Sequence, residues 1–229
     1  YCDLIHRGAI RSGDEINVCV PTGNFGNIFA AYLAREMGIP IARLICASNR
    51  NNVLTDFIAT GTYDRTRDFH KTMSPSMDIL ISSNLERLLY MLGGAKVTAE
   101  LMDSLAQTGK YTLPDEFLTD LREIFSGYCC TEEETAAAIR DTYENVHYLI
   151  DPHTAVGLGA VRKYRAETGD DRVMVLASTA SPYKFAADVC RSLGVNAGDL
   201  DGEELLGALS NATGTEIPAP LAATLHKPV

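Results

Sequence analysis

With 229 residues, 46% of them hydrophobic and 22% charged, the chain is long enough for one domain with a substantial core and has an ordinary globular composition. A net charge of −10 without any Lys/Arg cluster argues against a nucleic-acid partner. No run approaches the ~20 apolar residues of a membrane span, no secretory signal opens the chain, and six cysteines without a C-x-x-C pair fit a cytoplasmic protein.

The chain opens at Tyr1-Cys2-Asp3 without Met, in what reads as the last turns of a helix closing near Gly8. We therefore expect a fragment with something upstream removed. Ile16–Val20 is a β-branched run and a strand. After a glycine-containing turn, Phe25, Ile28, Phe29, Leu33 and Met37 recur at helical spacing, and the helix stops at Gly38-Ile39-Pro40. Ala42–Ala47 is the next strand, followed by the polar turn Ser48-Asn49-Arg50-Asn51-Asn52. Met77–Ile81 reads as a third strand, and Ser83 with Glu86 as a capping box opening an apolar helix through Leu92.

Between about 98 and 146 the alternation breaks into consecutive helices, Thr98–Leu105, Pro114–Phe125 and Thr131–Val146, the last opened by a Thr131/Glu134 capping box. The vicinal Cys129-Cys130 falls between two of them and reads as incidental; Cys19, Cys46 and Cys190 lie in apolar patterns as small buried hydrophobes. Alternation resumes with a helix after Asp151, a strand Val173–Ala177 and a helix Phe185–Leu193. The expected fold is α/β, a mostly parallel sheet with helices on both faces and a helical insertion at about 98–146, in one domain spanning 1–229.

The segment Pro21-Thr22-Gly23-Asn24-Phe25-Gly26-Asn27 joins the first strand to the first long helix. Strand, glycine turn and helix N-terminus together make an anion site, because backbone N–H groups converge and the helix dipole adds partial positive charge. The loop has no Lys or Arg, so a phosphate would rely on amides and Asn side chains. It is neither a Walker loop, since Asn27-Ile28 stands where Lys-Ser/Thr is needed, nor a dinucleotide fingerprint. A plain strand–helix turn, with glycines for geometry only, is the alternative.

Thr-Gly-Asn-Phe-Gly-Asn after a Val-rich strand resembles the pyridoxal-phosphate phosphate loop of threonine synthase, a fold-type-II enzyme. Four further blocks in family order carry the resemblance: Ser48–Leu54 with Phe57 and Thr60-Gly61-Thr62-Tyr63; Ser74–Leu88; Asp151–Gly157; and Ala177–Phe185. The resemblance implies that Gly23, Asn24, Phe25, Gly26 and Asn27 bind the phosphate of pyridoxal 5'-phosphate. It also implies that Thr179 sets its hydroxyl against the pyridine nitrogen, where otherwise it would read as a strand-end Thr serving the next helix. The implied reaction converts O-phospho-L-homoserine and water to L-threonine and phosphate.

The family's Schiff-base lysine belongs to an N-terminal domain, and none of Lys71, Lys96, Lys110, Lys163, Lys184 and Lys227 sits in a segment resembling it. No catalytic residue and no metal ligand is therefore expected in this chain, whose partner would be its own N-terminal domain. Lys184 should be a solvated side chain. His153, just ahead of a helix start, is either an acid–base group or a structural histidine. The Asn49–Asn52 cluster either faces substrate or is a solvated turn, and Ser74, Ser76 and Asn84 have no evident task. Two other identities remain open: another fold-type-II enzyme, such as a dehydratase or sulfhydrylase, and a catalytically silent phospho-ligand-binding homologue.

Overall fold

A computed structural model describes residues 1–225 of the chain; Lys227 lies outside them. Four strands form a wholly parallel sheet: β1 (Ile16–Pro21), β2 (Ile41–Ser48), β5 (Phe125–Cys129) and β6 (Met174–Leu176), in the order β5-β2-β1-β6. β1 is central, with Val18 opposite Leu44 on one side and Val175 on the other.

Alternation along each strand separates two cores. Ile16, Val20, Leu44, Cys46 and Phe125 turn to the face covered by α2 (Gly26–Glu36), α3 (Val53–Thr60) and α4 (Leu85–Thr108). Cys19, Ile45 and Ala47 turn to the opposite face, where Val156, Ala160, Val161 and Tyr164 of α7 (Pro152–Thr168) pack on them. Both faces are thus covered, which is why β2 reads as a near-continuous apolar run. Fully burying a side chain such as Leu44 or Ile45 contributes about 1.5–3 kcal/mol. A third cluster joins α6 (Glu132–Val146), α8 (Ala186–Ser192) and α9 (Gly202–Thr213) through Ile139, Val189, Cys190 and Leu209.

Several local expectations are corrected. The three helices expected between 98 and 146 are present, but two strands lie among them. β4 (Lys110–Thr112) pairs antiparallel with β3 (Thr62–Asp64), and Tyr63 stacks on Tyr111 at 5.2 Å. β5 follows α5 (Asp115–Ile124) directly and forms the sheet's edge, so Phe125 begins a strand and does not end a helix. Cys130, just past β5, is buried with its Sγ donating to the Val156 carbonyl at 3.4 Å, so it packs β5 against α7.

Met77–Ile81 is no strand: Pro75–Met77 is a 3-10 turn, and extended loop follows. The Ser83/Glu86 capping box does not form. Asn84 is the N-cap of α4, and a break at Gly94 (φ 71°, ψ −175°) separates the two helical pieces expected there. The Thr131/Glu134 box does form, with both reciprocal hydrogen bonds. No helix among the described residues is long and apolar enough to cross a membrane.

Candidate phosphate and cofactor site

Thr22 ends β1 by donating its N–H to the Ala47 carbonyl at 2.8 Å. From there to the first turn of α2 the backbone changes character. Among the described residues, no hydrogen-bond acceptor meets the N–H of Gly23, Asn24, Phe25, Gly26, Asn27 or Ile28. The carbonyls of the same loop are tied down. Ser82 Oγ donates to the Gly23 carbonyl at 2.8 Å, and Asn84 donates its N–H and its Nδ2 to the Asn24 carbonyl at 3.1 and 2.7 Å. Fixing the acceptors from behind leaves six consecutive donors toward the cavity at a helix N-terminus, which is the arrangement an anion needs.

Two residues hold this geometry. Phe25, the N-cap of α2, adopts φ 63° and ψ 4°, a left-handed conformation that costs a bulky residue about 1–3 kcal/mol. Its ring is buried against Phe125, with centroids 5.7 Å apart, so core packing maintains the strained turn. Gly23 has no positive φ; it is needed for close approach. A Cβ there would lie 2.5 Å from the Ser76 carbonyl oxygen, which is backbone and cannot swing aside. A Cβ on Gly26 would meet only Asn84 Nδ2, at an ordinary 3.6 Å. The loop's special conformation thus falls on Phe25, not on either glycine.

The six free amides open onto a cavity of about 270 Å³ at the carboxyl end of the sheet, where open α/β folds place ligands. Gly23, Asn24, Phe25, Gly26, Asn27 and Thr179 all border it, together with Ser76, Met77, Asn84 and His153. Thr179, on an exposed loop after β6, comes to the same cavity from the far side of the chain. Among the described residues, no Asp, Glu, Lys or Arg lines the cavity, so no carboxylate there repels an anion and binding would rest on backbone dipoles. The donor set fits a phosphate monoester such as that of pyridoxal phosphate.

His153 is 2% exposed, and both ring nitrogens are engaged. Nε2 accepts the Ser76 N–H at 3.2 Å, so the ring proton resides on Nδ1, which donates to Asp151 Oδ1 at 2.9 Å. Asp151 caps α7 by accepting the His153 and Thr154 N–H groups, and its Oδ2 accepts the Thr154 hydroxyl. Burial pushes the Asp151 carboxyl up, but these donors outweigh it and hold it below the ordinary carboxylate range.

Asn49 and Asn51 neither face the cavity nor stand in solvent. Both are buried, and each donates Nδ2 to Asp78 Oδ1, at 2.8 and 2.9 Å. Asn49 Nδ2 also reaches Ser74 Oγ, and Asp78 Oδ2 accepts the Thr72 N–H at 2.9 Å. This network holds the Thr72–Asp78 segment against the end of β2 and carries Ser76 to its place beside Gly23. Ser74 within this network, and Asn84 behind the Asn24 carbonyl, acquire tasks that the sequence reading left open, and the role of Ser82 was not read. Of the described lysines none lines the cavity. Lys163 pairs with Glu134, Lys110 with Asp64, and Lys71, Lys96 and Lys184 are exposed. The thiols are no substitute: burial pushes Cys46 up to about 12, away from its reactive form.

Comparison with known proteins agrees with this architecture. Residues 154–227 match the family model "Threonine synthase, C-terminal". The chain is 45% identical over 168 residues to threonine synthase of Pseudomonas aeruginosa, covering 72% of this chain and 35% of that protein. It is 44% identical over 198 residues to threonine synthase-like 1 of Pongo abelii, covering 84% of this chain and 26% of that protein. Among solved structures, PLP-bound threonine synthase from Brucella melitensis superposes with a TM-score of 0.82 at 35% identity, over 96% of this chain and 43% of that one. Yeast threonine synthase gives 0.79 at 34% identity, over 91% and 45%. The chain spans under half the length of each of these relatives. On the parallel sheet, the amide loop that opens its cavity and these matches along the chain, the chain has the fold of the threonine synthases, fold-type-II pyridoxal-phosphate enzymes, and matches part of their length.

Proposed function

We propose that the chain forms the phosphate-binding part of a pyridoxal-phosphate lyase that converts O-phospho-L-homoserine and water to L-threonine and inorganic phosphate. The single observation that carries this reading is the run of six acceptor-free amides, Gly23–Ile28, whose neighbouring carbonyls are tied back. Bound pyridoxal phosphate supplies the electron sink for a carbanion on the substrate. The residues of this chain do the rest of the holding: the amides of 23–27 bind the phosphate, and the Thr179 hydroxyl donates to the ring nitrogen. A neutral donor at that nitrogen leaves the ring unprotonated.

His153 is not the proton carrier, because one nitrogen is filled by Asp151 and the other by Ser76. The group that moves protons is a lysine from an N-terminal domain, which closes the cleft and excludes water. A volume of about 270 Å³ supports that view, since closed small-molecule pockets run to roughly 300–1,000 Å³. Six free thiols suit the cytoplasm.

Titration of the 229-residue chain with inorganic phosphate, pyridoxal phosphate and pyridoxal, followed by amide resonances, tests the binding reading. Shifts at residues 23–28 are expected with the first two and not with the third; shifts confined to other segments defeat it. Thr179→Val should weaken pyridoxal phosphate while leaving inorganic phosphate unaffected. Relatives named threonine synthase and threonine synthase-like 1 are almost equally similar, at 45% and 44%. Phosphate release from O-phosphohomoserine by the chain joined to its N-terminal domain therefore separates the lyase from a silent phospho-ligand binder.

A further inference from the structure

One continuous set of hydrogen bonds, buried at its centre and part-buried at its two ends, runs behind the cavity from its phosphate end to its Thr179 end. At the phosphate end, the Ser76 carbonyl presses on Gly23, and the Ser76 N–H is held by His153 Nε2 at 3.2 Å. His153 Nδ1 donates to Asp151 Oδ1, and Asp151 Oδ2 accepts the Thr154 hydroxyl. Thr154 Oγ also donates toward Ser178 Oγ at 3.1 Å, so its one proton is shared between Asp151 and Ser178. Ser178 immediately precedes Thr179. The carboxylate at the middle is 1% exposed and His153 is 2% exposed, so neither partner can exchange its bonds for water.

We infer that Asp151, His153 and Thr154 are positioning residues that clamp the two ends of the cofactor site to one another, His153 setting the phosphate loop through Ser76 and Thr154 setting the Thr179 loop through Ser178. This rests on the cofactor reading proposed above. The helix start that carries the clamp belongs to α7, which packs on the sheet, so the clamp refers both loops to the sheet's core. His153 thus acts on the cofactor site without donating to or accepting from any ligand.

Two substitutions at one position separate its two bonds. His153→Gln places an acceptor near the Nε2 position and keeps the Ser76 bond. His153→Asn places a donor near the Nδ1 position and gives up the Ser76 bond. In the 229-residue chain, inorganic phosphate binding read from the amides of residues 23–28 should weaken about tenfold in His153→Asn and stay within about twofold in His153→Gln. Amide exchange at Ser76 should speed up only in His153→Asn. Ser178→Ala should leave phosphate affinity within about twofold but lower pyridoxal phosphate affinity about threefold. A merely structural histidine would lower the melting temperature of both variants and leave the phosphate affinity of the folded protein alike in both. That result, or equal loss of affinity in both, overturns the clamp. Absence of phosphate-induced shifts in the unsubstituted chain overturns the cofactor reading, and the clamp with it.

Discussion

Two loops meet at the carboxyl end of the sheet and are built on opposite plans. The Gly23–Ile28 loop leaves its backbone donors without acceptors, while the Thr72–Asp78 segment facing it is bound by buried side chains at almost every turn. One offers main-chain donors, where we propose that phosphate binds; the other is the brace that sets how close those donors sit. A backbone site cannot be tuned by its own side chains, so its precision must come from what stands behind it.

The largest expected effect lies in the brace. Asp78 accepts from Asn49, Asn51, the Thr72 N–H and the Thr72 hydroxyl, at 2.7–2.9 Å. Asp78→Ala should destabilise the chain by about 3 kcal/mol, because bonds to a charged acceptor are lost and buried amide donors remain. Urea denaturation measures this, and a loss below about 0.5 kcal/mol would mean that the brace is decorative.

Next comes the contact between the two loops. Gly23→Ala puts a Cβ at 2.5 Å from the Ser76 carbonyl, so loop or brace must shift. Overpacking of this kind costs about 1–3 kcal/mol, and phosphate binding at the six amides should fall with it. Retained affinity together with lost stability would separate the brace from the binding surface.

The two plans were unequally legible in the sequence. The strand–turn–helix course of the donor loop could be read because strand, glycine turn and helical period follow one another without interruption from Ile16 to Met37. The brace could not, since its bonds join residues 49 and 51 to 72, 74 and 78, and short polar side chains carry no period. The apolar run Met77–Ile81 imitated a strand, yet Asp78 within it is an anchor and Pro75 starts a 3-10 turn. β5 was hidden for a related reason: α5 runs into it without a turn, and Phe125 continues the helix's apolar spacing while heading the strand. Phe25 showed as a helix-facing aromatic, which it is, but its left-handed backbone leaves no mark on composition. The Thr179 loop was found through family resemblance alone.

Acid sensitivity gives a smaller and more selective effect. The folded state holds the Asp151 carboxyl below its ordinary value, so the unfolded chain binds its proton first. The resulting stability is fully present above the unfolded value near 4 and is lost as pH falls through the lower folded value. Asp151→Asn should therefore be less stable than the parent by about 1–2 kcal/mol at pH 7, with the gap closing toward pH 3. Thermal melts across that range measure the gap, and one that stays constant would remove Asp151 from the account of acid stability.

The smallest effect is the sharpest test of why this loop contains glycine. Gly26 shares the loop with Gly23, is exposed, and heads α2 with no positive φ. A Cβ there would touch only Asn84 Nδ2, at 3.6 Å, an ordinary van der Waals contact. Alanine restricts the unfolded chain and is the better helix former, so Gly26→Ala should leave stability unchanged or raise it by up to about 1 kcal/mol. Its sign is thus opposite to that of Gly23→Ala three residues earlier. Chemical denaturation of the two single variants and the pair measures both. If Gly26→Ala destabilises as much as Gly23→Ala, close approach to Ser76 is not what selects glycine here, and the loop would need glycine for backbone freedom at both positions.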